Sequence, residues 1–211
     1  MFEFKETMPI VEALGNPHLT EVHWSEIKAK LGIEDFPLED KQFSLGELVQ
    51  LNVAEHCDEV VNISVTATQE NLLRGQLDTL TMTWKTTDFE LAQYKDKDAM
   101  VLVGIDKVQT VLDESMQMCS SINGSRYVKR LQPQAQDEQD RLNLIFDTLE
   151  QWRDCQRNWM YLESIFSSGE DIRKQRPRDA AEFDAIDKSW VKLMKDTFKQ
   201  RSVRRQCALS R

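Results

Sequence analysis

The stretch nearest to a nucleotide site is Val101-Leu102-Val103-Gly104-Ile105-Asp106-Lys107, a strand-like run that leads into a helix. A phosphate-binding loop needs GxxxxGK[ST], because backbone amides and a lysine must cradle the phosphates. This stretch has one glycine and no Lys-Ser/Thr pair at that spacing. Metal chemistry finds as little support. The chain has 3 histidines, His18, His23 and His56, with Cys57 beside the last. Zinc asks for four converging ligands, and neighbours such as His56 and Cys57 point about 100° apart on a helix. His23-Trp24 reads as a helix-packing pair. No serine sits in GxSxG and no cysteine stands near an evident base. Asp137, Glu138 and Asp140 read as a wet helix face, whereas paired catalytic carboxylates need burial to separate their pKa values. Trp152, Arg153, Arg157, Trp159 and Tyr161 interleave cations with aromatics, the pattern of a stacking platform for nucleic acid. Yet Trp152 and Trp159 share an apolar stripe with Ile145 and Phe166, and Asp154 and Glu163 surround the arginines. The residues predict no reaction, no metal, no cofactor and no nucleic-acid partner.

The elements that must position these residues are helical. The 211 residues include only 7 Gly and 5 Pro, with 40% hydrophobic and 30% charged residues, a balance suited to long amphipathic helices. Net charge is −9, the wrong sign for a protein that wraps a duplex. Lys199 to Arg211 hold five basic residues and no acidic one, leaving 22 basic against 36 acidic residues in the rest. That end reads as a basic, solvated and frayed tail. Cys57, Cys119, Cys155 and Cys207 are scattered without a CxxC pair, which predicts free thiols in a reducing compartment. No run approaches eighteen apolar residues and the start lacks a leader pattern, so a soluble intracellular chain without a membrane partner is expected.

Along the chain, Phe2 to Leu14 reads as a helix closed by Gly15, with Asn16-Pro17 as the turn. Residues 19–31 form a second helix, with Val22 or His23, Ile27 and Leu31 on one side and Gly32 at its end. Residues 33–42 are a loop around Pro37. Ser44 and Glu47 make an S-x-x-E capping box, with Phe43 and Leu48 as its hydrophobic staple. From Ala54 to Trp84 two patterns compete: Val61, Ile63 and Val65 alternate like a strand, while Leu73, Leu77, Leu80 and Trp84 recur at helical spacing. Length favours one long helix. Residues 88–105 suggest a small hairpin with its tip at Lys95-Asp96-Lys97-Asp98. A helix follows, with Ile105, Val108, Leu112, Met116 and Cys119 on one face.

After Pro133 comes the longest element, about residues 134–166. Ile145, Trp152, Trp159 and Phe166 recur every seven residues, with Leu142 and Leu149 at the partner position. The partner series then meets Gln156 and Glu163, so the seam is not a sustained zipper, and a helix lying against other helices fits better. A last helix, about residues 178–199, turns Phe183, Ile186, Trp190, Leu193 or Met194, and Phe198 inward. The predicted fold is mainly α, an elongated multi-helix bundle with one small β-hairpin near residues 88–104. Its structural core is assigned to Trp24, Trp84, Ile145, Trp152, Trp159, Phe166, Phe183 and Trp190.

Six segments then share wording with one family. Trp152-Arg-Asp-Cys-Gln156-Arg157-Asn-Trp159-Met-Tyr161-Leu162-Glu163-Ser-Ile165-Phe166 resembles the W-x3-QR-x-W-x-YLE-x-IF pattern of the linker region of dynein heavy chains. Asn16-Pro17-His-Leu19-Thr-Glu-Val-His23-Trp24 resembles NP-x-L-x3-HW, and Phe43-Ser44-Leu45 with Leu48 resembles F-[ST]-L-x2-L. Leu102-Val-Gly104-Ile-Asp106, followed by Leu112-Asp113, is similar to the L-x-G-x-D segment. Ser125-Arg-Tyr127-Val128-Lys129 matches S-P-Y-V-K except at Arg126. Asp171-Ile172, Gln175, Pro177, Phe183, Asp187, Trp190 and Met194 continue in register, with Arg176 where leucine is usual. The two departures predict shifted turns at Arg126 and Arg176. The wording is closer to axonemal than to cytoplasmic heavy chains, and the resemblance is expected to stop near residue 199.

The resemblance implies that residues 1–198 are the N-terminal portion of a dynein linker and that 199–211 are a basic tail of an excised or truncated piece. A linker is a helical bar across the AAA+ ring that bends with nucleotide state and carries ring chemistry to the tail. The implied partners are the ring and remaining linker of the same heavy chain, together with dynein complex subunits. ATP and Mg²⁺ would belong to the motor ring and not to this segment. The implied location is the cytoskeleton, in a ciliary or flagellar axoneme. The competing expectation is an independent helical adaptor that binds a partner helix through its apolar seam.

Overall fold

A computed structural model describes residues 2–32, 53–95, 97–168 and 170–208, with backbone alone at residues 2–7, 53, 54 and 168. The 33–42 loop, the Ser44–Glu47 capping box, its Phe43–Leu48 staple and the Phe43-Ser44-Leu45 segment lie outside the described residues. Among the described residues there are eight α-helices and one two-stranded antiparallel sheet. In chain order these are α1 (Phe2–Leu14), α2 (Glu21–Leu31), a 3₁₀ turn (Val53–His56), α3 (Cys57–Thr86), β1 (Glu90–Gln93) and β2 (Met100–Val103). Then follow α4 (Ile105–Asn123), α5 (Gln132–Ser168), α6 (Glu170–Gln175), α7 (Pro177–Lys199) and α8 (Val203–Ala208). No helix among the described residues is long and apolar enough to cross a membrane.

The chain divides into two compact units, one of residues up to Gln76 with Ser125–Gln132, the other of Leu77–Gly124 with Pro133 onward. The first is built on a small aliphatic core of Ile10, Ala13, Ile27 and Val60, against which Leu14, Leu19, Trp24 and Leu31 are half-buried. Its α2 ends at Gly32, whose φ of 68° is the left-handed value a C-terminal glycine supplies. The strand-versus-helix conflict resolves as helix: Val60, Ser64 and Ala67 are buried and Val65 is exposed, a spacing of three and four, not two. Asn16 explains part of that choice. Its amide nitrogen donates to the Ser64 carbonyl and hydroxyl, both at 2.9 Å, and to Thr68 Oγ1 at 2.8 Å. Its Oδ1 accepts the His18 N–H at 3.0 Å, so the Asn-Pro turn is stitched to the flank of α3.

The second unit holds the hairpin, with Leu91 opposite Leu102 and Glu90 opposite Val103. Around it pack α5 and α7, whose buried stripes hold Leu142, Ile145, Leu149, Trp152, Trp159 and Phe166, and Phe183, Trp190, Met194 and Thr197. Two expectations are corrected here. Ile186 and Phe198 are 49% and 40% exposed, while of Leu193 and Met194 it is Met194 that is buried, Leu193 being 46% exposed. Ile186 and Leu193 fall on the shoulder of a stripe whose centre is Trp190 and Met194, while Phe198 carries the Arg201 guanidinium 4.3 Å from its ring centroid. The end of the chain is also not frayed through residue 208. Phe89 N donates to Arg201 O at 2.8 Å and Val203 N to Thr87 O at 3.2 Å. Asp88 and Ser202 form an antiparallel bridge, and Val203 and Cys207 of α8 are 0% and 1% exposed. The basic residues count toward solvation, but Val203 and Cys207 between them supply the buried side.

Candidate functional site

The richest arrangement lies in the second unit, where α5 receives the hairpin. A two-stranded sheet leaves alternate N–H and C=O groups of its outer edge without strand partners. On β2 those groups belong to Met100 and Leu102. Gln156 takes both at Leu102, accepting its N–H at 2.7 Å and donating to its carbonyl at 3.0 Å. Trp190 Nε1 donates to the Met100 carbonyl at 3.2 Å. The edge strand is thus closed by one amide from α5 and one indole from α7.

Two turns farther along α5, Glu163 receives the hairpin tip. Its side chain is 1% exposed, and Lys95 Nζ lies 2.7 Å from Oε2 while Lys97 Nζ pairs with Oε1. Lys97 also donates to Ser167 Oγ at 2.6 Å. Burial pushes the Glu163 carboxyl upward, but hydrogen bonds from Lys95, Lys97 and Ser167, with the charge of Lys97, draw it down to about 2. Lys95 adopts a φ of 52°, a rare value for a side chain of this size, at the bend that delivers its ammonium to the carboxylate. The sequence placed Glu163 beside the arginines and at the partner position where the apolar seam lapses; it is a buried carboxylate facing lysines from another element. Glu138, read as part of a wet face, is likewise only 4% exposed.

The indoles fill the space between these polar ties. Trp159 stacks on Trp190 with centroids 5.1 Å apart and planes at 18°, and meets Tyr94 edge-on at 5.1 Å. Its Nε1 donates to Asp187 on α7 at 3.0 Å. Phe89 packs on Trp152 at 5.1 Å, and Phe166 stacks on Phe183 at 5.3 Å. Trp84, Ile145, Trp152, Trp159, Phe166, Phe183 and Trp190 are each less than a tenth exposed, whereas Trp24, in the first unit, is half-buried. Trp84 Nε1 donates to Ser115 at 3.1 Å. Trp152 and Trp190 wall a groove of about 720 Å³ with Cys155 and Leu193, and they show it only a margin at 8% and 3% exposure. Trp152 Nε1 is buried without a hydrogen-bond partner among the described residues.

The other candidates for chemistry are engaged structurally. Lys107 pairs with Glu90 at 2.9 Å, and Gly104 ahead of it holds a left-handed φ of 63°, where a Cβ would displace the movable Glu90 carboxylate 2.7 Å away. Burial raises the thiol pKa of Cys207 to about 11, against a hydrogen bond with Thr148 that lowers it. Arg176 ends α6's connection and pairs with Asp179 at 2.9 Å, while Arg126 lies over its neighbour Tyr127 with 4.6 Å to the ring centroid. Among the described residues, no group of three His, Cys, Asp or Glu side chains could hold a metal ion.

The first unit has a different centre. Arg130 donates to Glu70 at 3.1 Å and to Glu26 at 2.5 Å, and lies 2.7 Å from the ring of His23. Burial would lower the Arg130 pKa, and the hydrogen bonds to Glu26 and Glu70 more than offset it. Sequence reasoning missed Gln156, Glu163, Lys95, Lys97, Asp187 and this hub. The available signal was the pair of polar residues, seven apart, at apolar positions of α5.

Comparison with known proteins gives the family. The family model described as dynein heavy chain, N-terminal region 2, matches residues 1–210. The match runs past residue 199, where the resemblance was expected to stop. The chain is 36% identical over 192 residues to mouse dynein axonemal heavy chain 2, covering 91% of this chain and 4% of that relative. It is 37% identical over 196 residues to human dynein axonemal heavy chain 6, covering 92% and 5%. It is 31% identical over 204 residues to the Chlamydomonas reinhardtii dynein-1-beta heavy chain of the flagellar inner arm I1 complex, covering 97% and 4%. The chain thus spans about a twentieth of the length of the curated relatives it matches.

Proposed function

We propose, since this chain belongs to the dynein heavy chain N-terminal region 2 family, that it serves as a stiff, non-catalytic segment of the linker of an axonemal dynein heavy chain. In that role residues 1–198 carry nucleotide-driven changes of the AAA+ ring toward the tail, in ciliary or flagellar microtubule movement. ATP and Mg²⁺ act in the ring, and the partners are the ring, the rest of the linker and the other subunits of the dynein complex. One observation carries the reading most directly. Helix α5 is tied to β2, to the hairpin tip and to α7 by different bonds over little more than two turns, through Gln156, Trp159 and Glu163. Close-packed interiors resist compression and pass strain onward, which is what a lever segment requires. The indoles at 152, 159 and 190 act as its struts.

The test uses a complete axonemal heavy chain carrying Gln156→Ala or Trp159→Phe, both expected to fold. Microtubule gliding should slow while microtubule-stimulated ATP turnover continues. Gliding at the unmodified speed would overturn the proposal. A second reading, an independent adaptor, draws on the exposed apolar side chains Ile186 and Leu193 of α7. It predicts that Leu193→Asp abolishes capture of a helical partner and leaves gliding by the complete chain unchanged.

A further inference from the structure

His23 sits at the third position of α2, where a capping box ordinarily has Glu or Gln. Its ring is 2% exposed and four groups converge on it. At Nδ1, the Thr20 backbone N–H donates at 3.1 Å and Thr20 Oγ1 lies at 2.8 Å. At Nε2, Arg130 Nη1 lies at 2.7 Å and Glu70 Oε2 at 3.2 Å. Glu26, one turn on in α2, faces the ring only through Arg130.

These demands conflict. A neutral imidazole has one N–H and one lone pair. The Thr20 N–H needs the lone pair at Nδ1, and the Arg130 N–H needs it at Nε2. If Nε2 instead carries hydrogen, it turns to Glu70 and faces a second donor in Arg130. A doubly protonated ring has no lone pair, so it satisfies neither Thr20 N–H nor Arg130, and it adds a cation beside the guanidinium. Its Nε2–H keeps Glu70, as in the neutral Nε2–H tautomer, and the proton added at Nδ1 is left to Thr20 Oγ1.

We propose that His23 is a proton-operated switch in the first unit: the neutral ring accepts the Thr20 N–H at Nδ1, and a second proton there ends that acceptance and sets a cation against Arg130. The added proton removes one of the two reciprocal bonds of the α2 cap and sets a like charge against the Arg130 guanidinium beside Glu70. Because Arg130 lies in the Ser125–Gln132 segment, the same proton loosens that segment's hold on α2 and α3. The inference does not depend on the linker reading.

The experiment follows the full 211-residue chain by NMR from about pH 8 to about pH 5, the range in which histidine titrates. Ring nitrogen shifts of His23, guanidinium signals of Arg130 and the exchange protection of the Thr20 amide, corrected for intrinsic pH dependence, are read together. The expected result is a fall of about tenfold or more in Thr20 protection, in step with ring protonation and a displaced Arg130 signal. In His23→Gln, which retains a capping side chain, both responses should be flat. In Arg130→Met the Thr20 response should persist, since the Nδ1 bond does not pass through the guanidinium. Thr20 and Arg130 signals that stay constant while the ring titrates would overturn the proposal, as would a ring that never titrates. The wild-type titration decides this even where a variant fails to fold.

Discussion

The two units solve one problem, holding a segment of chain against long helices, with opposite materials. The first uses a charged hub, Arg130 among Glu26, Glu70 and His23, on a core of small aliphatic residues. The second uses stacked indoles, a neutral amide clamp on a strand edge, and one carboxylate that is itself buried although its lysines are half-exposed. Ion pairs at a partly wet site weaken with salt and depend on protonation, whereas aromatic burial and amide hydrogen bonds respond to neither. The comparison teaches that contacts open to salt and protons dominate around Arg130, whereas buried aromatic and amide contacts dominate around α5, with Glu163 as a titratable exception.

Trp159→Ala should break the comparison most severely. It removes a 2%-exposed indole with its stack on Trp190, and should cost about 3–5 kcal/mol, seen as a fall in melting temperature. An unchanged melting temperature would mean that the indoles are not struts. Gln156→Ala comes next. It frees both edge groups of Leu102, with an expected loss of about 1–3 kcal/mol. Hydrogen exchange at the Leu102 amide should accelerate more than at amides of α1 or α2.

Glu163→Gln separates charge from shape within the rigid unit. A carboxyl drawn down from 4.5 to about 2 contributes stability that is fully present above about 4.5 and is lost as pH falls from there toward 2. Urea midpoints at about pH 5 and about pH 3 should therefore differ more for the unmodified chain than for Glu163→Gln. Equal differences would show that the carboxylate's charge does not hold the hairpin tip. The smallest effect should come from the exposed pair Lys30–Glu59 of the first unit, 53% and 43% exposed. Lys30→Gln is expected to leave the melting temperature within experimental scatter. Raising salt from about 0.1 M to about 1 M should lower exchange protection around Arg130 more than around Trp159.

Helices were legible because their signals are local. The seven-residue recurrence from Ile145 to Phe166 marked α5, Gly32 marked the end of α2, and the polar tip between two apolar runs marked the hairpin. Val61, Ile63 and Val65 offered a competing strand pattern, since β-branched residues suit strands; length outweighed it, and the helix is further held by bonds from Asn16 that span 48 and 52 residues. The candidate site was legible only as its apolar half. A polar residue at a stripe position reads as the end of a seam. Gln156 and Glu163 are polar because they meet a strand edge and two ammonium groups; their spacing of seven at seam positions marks them as out of place without saying what they meet.

Alone, the amino-acid order determined a mainly helical chain, its long central helix, its hairpin and its family, because periodicity and short motifs depend on near neighbours. Tertiary structure decided which polar side chains are interior, that residues 200–208 fold back against Thr87 and Phe89, and that one arginine at position 130 gathers Glu26, Glu70 and His23. The reason is that burial and pairing are properties of what arrives from distant parts of the chain. A carboxylate or imidazole takes its character from those arrivals.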